Sequence, residues 1–138
     1  MKRINLIFRI RNKIKRSRKN TFVPGDFRSI SMDRYDQSLR ALRTMVRDGE
    51  LIKLGQGIYA KAKKVDYGNI IPKGYIVDLA RESLKKLGIK TFASDYENTY
   101  NSGKSTQVPT GRVIAVNRRV RRNIGFNGNL IKFQIAKR

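Results

Sequence analysis

Residues 35–61 read Tyr35-Asp36-Gln37-Ser38-Leu39-Arg40-Ala41-Leu42-Arg43-Thr44-Met45-Val46-Arg47-Asp48-Gly49-Glu50-Leu51-Ile52-Lys53-Leu54-Gly55-Gln56-Gly57-Ile58-Tyr59-Ala60-Lys61. At 100° per residue Tyr35, Leu39, Leu42 and Val46 fall on one stripe, the signature of a helix with one apolar face. Ser31-Met32-Asp33 is expected to open this helix, which runs to about Asp48, and Gly49 supplies the stop. Asp33, Gln37, Arg40, Thr44 and Arg47 then occupy the outward side. The short apolar runs Leu51–Leu54 and Ile58–Lys61, separated by Gly55-Gln56-Gly57, predict a β-hairpin with a glycine turn.

Upstream, Ile7, Ile10 and Ile14 recur at helical spacing within a segment that holds nine Lys or Arg and no acid over residues 1–20. This predicts an amphipathic helix with a basic outer face, the alternative being a basic arm that orders only on binding. Pro24-Gly25-Asp26 marks a turn, with Asp26 placed to cap a short helix through Ile30. Three helices followed by a glycine-tipped hairpin describe a winged helix-turn-helix over residues 1–64. In that arrangement two helices brace a third in the DNA major groove, and the hairpin reaches a neighbouring groove or the phosphates. The major groove presents distinguishable donors and acceptors, so Arg suits guanine and Gln suits adenine. Arg34, Gln37, Arg40 and Thr44 are the candidate base-reading residues. Lys13, Arg16, Arg43, Arg47, Lys53, Gln56 and Lys61 are candidate contacts to the DNA backbone.

Residues 65–138 are expected to form a small, basic α+β module. Lys61 to Asp66 reads as a charged junction, and Pro72 to Leu87 as a helix with Ile76, Leu79, Ala80, Leu84 and Leu87 inward and Gly88 as terminator. Residues 93–111 are loop-like in composition. Beyond them Val113–Val116, the Val120 region, Ile124–Phe126 and Leu130–Ile135 read as short antiparallel strands, with an Asn127-Gly128 turn between the last two. Arg118, Arg119, Arg121 and Arg122 form the densest basic cluster outside the N-terminus, suited to phosphate or to an acidic protein surface.

The run Tyr35–Leu42 with Val46–Ala60 resembles the N-terminal domain of AbiEi-type antitoxins and related short antitoxin-like regulators of bacteria, over about residues 5–64. Tyr100 to Gly111 resembles a recurrent segment in the C-terminal part of these proteins. The resemblance implies an autorepressor of a toxin-antitoxin operon, and a nucleotidyltransferase-type toxin as a protein partner opposed by the second half. Within that segment Gly103-Lys104-Ser105 evokes a nucleotide-binding P-loop, but the first glycine of that pattern is replaced by Asn98, so the segment reads as a polar loop that contacts phosphate or a protein partner, with Lys104 a candidate contact to the DNA backbone.

Composition bounds these readings. The 138 residues carry 32 Lys plus Arg against 10 Asp plus Glu, a formal charge of +22, which draws the chain toward polyanions. Leu, Ile, Val and Phe still make up about 28% of the chain, above the level of roughly 20% below which disorder is expected. With no Cys and no His, a disulfide framework, a thiolate metal site and Ser-His-Asp chemistry are excluded. Asp95 and Glu97 invite a two-carboxylate mechanism, but they flank Tyr96 in a polar loop with no third acid and read as solvated. Tyr96 and Tyr100 are candidates for base stacking or for core packing. No enzyme activity, cofactor, metal or small-molecule substrate is expected. No apolar run approaches the roughly 20 residues that span a bilayer, so a cytoplasmic, nucleoid-associated protein bound to double-stranded DNA is expected. The Arg-rich start also has the flavour of a mitochondrial transit peptide. An RNA-binding, ribosome-associated protein and a protein-interaction inhibitor of a neighbouring toxin are the competing classes.

Overall fold

The computed structural model describes residues 6–32, 34–93, 103 and 112–136, and they form a mixed α+β fold. Helix α1 (Leu6–Arg16) buries Ile10 and Ile14 and leaves Ile7 half-buried, as its periodicity predicts. Strand β1 (Thr21–Phe22) leads into a 3-10 turn over Pro24–Phe27, helix α2 (Arg28–Ser31) and helix α3 (Tyr35–Arg47). Asp26 lies inside the 3-10 turn rather than ahead of a helix, and its carboxylate accepts the Val23 N–H at 3.1 Å.

The start of α3 differs from expectation. Ser31 ends α2: its hydroxyl donates to the Phe27 carbonyl at 3.1 Å, and its own carbonyl accepts the Arg34 N–H at 3.1 Å. Met32 then takes a left-handed conformation (φ 53°), which breaks the helical path and puts Arg34 at the N-cap of α3. Asp33 lies outside the described residues. The buried stripe of α3 is also rotated, running through Ser38, Ala41, Leu42 and Met45, with Leu39 and Val46 half-buried beside it. The small Ser38 and Ala41 side chains let the surrounding elements approach the helix axis closely, and periodicity by itself does not register this. Tyr35, expected in the core, is 59% exposed because it stands on the first turn, one turn before the first buried residue.

Helix α3 and a later helix end in the same way. After α3 the Glu50 N–H reaches the Met45 carbonyl at 2.9 Å and Gly49 N–H the Val46 carbonyl at 3.1 Å, with Gly49 at φ 78°. After α4 (Ile76–Lys86), Ile89 and Gly88 repeat the pattern on Leu84 and Lys85. A side chain with a Cβ is strained in that left-handed position, so glycine there stops each helix where the sequence says it should.

Strands β2 (Leu51–Gly55) and β3 (Ile58–Lys64) form the expected antiparallel hairpin, with Ile52 opposite Ala60 and Lys53 opposite Tyr59. β3 runs three residues beyond Lys61, through what reads as a charged junction. Lys61 explains this: its N–H donates to Asn20 and its carbonyl accepts the Lys73 N–H. One edge of β3 therefore passes from β1 to β4 (Ile70–Pro72), and the backbone of Lys63 and Lys64 stays paired while their side chains remain exposed. Pro72 consequently ends a strand, and α4 begins only at Ile76.

Beyond α4, β5 (Thr91–Phe92) pairs antiparallel with β6 (Val113–Val116). β7 (Gly125–Phe126) and β8 (Asn129–Leu130) form a hairpin whose two turn residues, Asn127 and Gly128, both have positive φ, the geometry that matches strand twist. The Val120 region is not a strand. The expectation of a wholly antiparallel second half is corrected at β9 (Lys132–Ile135), which pairs parallel to β6. Residues 117–131, hairpin included, supply the long crossover that a parallel pair needs.

The β2–β3 hairpin is buried on both faces, which is why its strands read as continuous apolar runs. Leu51 and Tyr59 join α1, the 3-10 turn and α3 in one core with Ile10, Phe27, Leu42 and Met45. Their neighbours Ile52, Leu54, Ile58 and Ala60 point the other way, as alternation requires, into a second core with Leu79 and Leu84 of α4, Ile114, Val116, Ile124 and Ile131. Residues from both sides of position 64 thus share one core. Polar groups from α4 reinforce the joint: Glu82 Oε1 accepts the Asn20 N–H (2.9 Å), the Thr21 N–H (2.8 Å) and the Thr21 hydroxyl (2.6 Å). Four residues along, the Lys86 ammonium donates to the Thr21 carbonyl and to Asp26, each at 2.6 Å, and lies over the Phe22 ring.

Candidate nucleic-acid interface

With one side of α3 committed to the core, its other side carries Arg40, Arg43 and Arg47, all exposed, with Gln37 half-buried beside them, and Arg34 is exposed at the N-cap. Arg40, Arg43 and Arg47 follow helical spacing and therefore share a face. The first turn adds one exposed acid, Asp36. Thr44 is less free than its position suggests, because its hydroxyl donates to the Arg40 carbonyl at 3.0 Å and only its lone pairs remain for a ligand. Arg47 meets Asp48 at 3.3 Å in a solvent-exposed pair of the kind that contributes little. Behind the helix the Ser38 and Tyr59 hydroxyls are buried without a hydrogen-bond partner among the described residues. Burial pushes the Tyr59 phenol above its ordinary range, opposed by the nearby Arg43 charge.

The tip of the β2–β3 hairpin faces an open groove of about 790 Å³, lined by Tyr35 from the first turn of α3, Lys53 to Gly57 from the hairpin, Arg121 to Asn123, and Leu130. Arg122 Nη1 donates to the Gln56 carbonyl at 2.8 Å, fixing the guanidinium against the hairpin tip. The loop can come this close only because residue 55 has no side chain: a Cβ on Gly55 would lie 2.4 Å from the Asn123 carbonyl oxygen. Gly55 therefore does more than make a turn. Gly55→Ala is expected to lower stability by about 1–3 kcal/mol through overpacking against backbone, read as a reduced denaturation midpoint. A variant as stable as the parent would mean that the loop yields freely and does not define the groove.

Of the residues that sequence reasoning selected, the fold brings Lys53, Gln56, Arg121 and Arg122 together in this groove. Arg34, Gln37, Arg40, Arg43 and Arg47 remain on α3, and Arg16, Arg118 and Arg119 are exposed elsewhere. Two expected backbone contacts are engaged within the protein. The Lys13 ammonium donates to the Asp26 carbonyl and lies over the Phe27 ring. Lys61 donates to the Ser17 carbonyl at 2.7 Å, and burial first, then Lys73, push its ammonium below the usual lysine range against the opposing pull of Glu82. These two side chains serve the fold. Lys104, with Asp95, Tyr96, Glu97, Asn98 and Tyr100, lies outside the described residues.

Tyr35, Asn123 and Leu130 are groove residues that sequence reasoning missed. Tyr35 shares the helical phase of the core stripe but is exposed, because among the described residues the first turn of α3 is left uncovered. Among the described residues no helix is long and apolar enough to cross a membrane. Comparison of the chain with protein-family models, with curated proteins and with solved structures finds no match.

Proposed function

We propose that this chain is a sequence-specific DNA-binding regulator whose first half works as a winged helix-turn-helix. In this reading α3 enters the major groove, the 3-10 turn with α2 and α1 brace it, and the β2–β3 hairpin is the wing. The observation that carries the proposal is α3 itself: one face is buried, while the other exposes Arg40, Arg43 and Arg47 with Gln37 half-buried, beside the glycine-tipped hairpin. Arg40 and Gln37 would read base edges, and Arg43 and Arg47 would hold phosphates. The net charge of +22 supports tight, salt-sensitive association with a polyanion. The resemblance of residues 35–60 to AbiEi-type antitoxins supports a more specific role, repression of the chain's own operon with a nucleotidyltransferase-type toxin as protein partner.

Selection from a randomised duplex pool tests the proposal, followed by fluorescence anisotropy on the recovered site, a scrambled duplex, a single strand and a structured RNA at one salt concentration. The expected result is an enriched motif bound at least about 10³-fold more tightly than the scrambled duplex. A pool without enrichment, or tighter binding to the structured RNA, would sink the proposal.

A further inference from the structure

We infer that the groove between the hairpin tip and the Arg121–Arg122 loop holds the sugar-phosphate backbone of one DNA strand, so that the C-terminal half of the chain forms part of the DNA-contacting surface. The inference rests on the DNA-binding reading and extends it to a segment that a winged helix does not contain. Among the described residues three cations line the groove, Lys53, Arg121 and Arg122, and no carboxylate does. Such a cluster is self-repelling and gains nothing for the fold unless an anion joins it. Arg122 is held in place through the Gln56 carbonyl, which uses one of its five N–H donors and leaves the others for a ligand. A guanidinium fixed in advance loses less freedom on binding phosphate than a mobile one.

The remaining lining suits the other half of a nucleic-acid backbone. Tyr35 is 59% exposed and Leu130 49% exposed, and they present apolar surface beside the cations. A strand alternates charged phosphates with apolar sugar faces, and this groove offers cations next to an aromatic ring and an aliphatic side chain. The position also suits the winged-helix reading, because the groove lies at the tip of the β2–β3 hairpin and at the start of α3, the two elements that reading places on the duplex.

The test uses the full chain and its Lys53→Ala, Arg121→Ala and double variants, checked for unchanged circular dichroism and melting. Affinity for the selected duplex is measured over about 50–200 mM salt. Each lost phosphate contact is expected to reduce the slope of log K against log salt by about 0.9, while the order of preference among duplex sequences stays as in the parent. An unchanged slope in the double variant, with sequence preference intact, would overturn this inference and leave the regulator reading standing. Failure of the parent chain to prefer any duplex would overturn both. A variant effect seen only on binding to polyglutamate, and not to duplex, would assign the groove to an acidic protein and overturn the inference as well.

Discussion

Replacing Glu82 by alanine is expected to cost on the order of 3 kcal/mol of stability and to lower the melting temperature by about 10 °C or more. One carboxylate oxygen of Glu82 accepts three donors from β1 and the residue before it, and Thr21, which supplies two of them, is fully buried. Removing the acceptor takes the partner from all three, and each buried donor left unpaired, as those of Thr21 would be, costs about 1–3 kcal/mol. The Lys86 bridge to Asp26 and to the Thr21 carbonyl survives the change, so the loss is specific to the donors. Glu82→Gln keeps an oxygen in place and is expected to lose much less, about 1 kcal/mol. Chemical denaturation of both variants decides the matter. If the alanine variant falls within about 0.5 kcal/mol of the parent, the carboxylate does not secure β1, since changes of that size are what a surface substitution makes.

The second large effect concerns recognition. In the variant with both Gln37→Ala and Arg40→Ala, loss of discrimination at the selected site is expected to total on the order of 2–6 kcal/mol, from about 1–3 kcal/mol per bidentate base contact. Because neither side chain belongs to the core, folding should be unaffected. The signature that separates base reading from phosphate contact is selectivity: affinity for scrambled duplex should change far less than affinity for the selected one. Repeating the selection with the variant should recover a shorter or degenerate motif. An undiminished motif would place the reading surface off α3. Arg43→Ala offers the contrast, since it should weaken all duplexes alike and lower the salt slope by about 0.9.

The placement of these residues shows which inferences local sequence supports. The helical character of α1, α3 and α4 and the ends of α3 and α4 were legible, because they depend on apolar periodicity and on a glycine within a few residues, whereas the starts of α3 and α4 were not. Gly49 and Gly88 sit where the chain must turn left-handed, so the two helix ends agree with the sequence reading. The same holds for the hairpin around Gln56-Gly57 and the turn at Asn127-Gly128, whose geometry is set by the turn residues themselves. The outward arginines of α3 were legible by elimination, as the side left over by the apolar stripe.

What was not legible depends on contacts between distant parts of the chain. Lys13 and Lys61 look like solvent-facing cations until the Asp26 and Ser17 carbonyls arrive beside them. Residues 61–64 look like a junction until β1 and β4 provide partners along one edge of β3. Tyr35 looks like a core residue until the described residues are seen to leave the first turn of α3 exposed.

By itself, then, the amino-acid order determined the presence of the helices, the ends of α3 and α4, the hairpins and a net charge of +22, because these follow from spacing, backbone geometry and composition over short range. Only the tertiary structure decided that β9 runs parallel to β6, that one core takes residues from both halves, and that Arg121 and Arg122 lie against the hairpin tip. Those outcomes turn on which surfaces meet across long stretches of chain, and a single missing side chain at Gly55 admits the closest of those approaches.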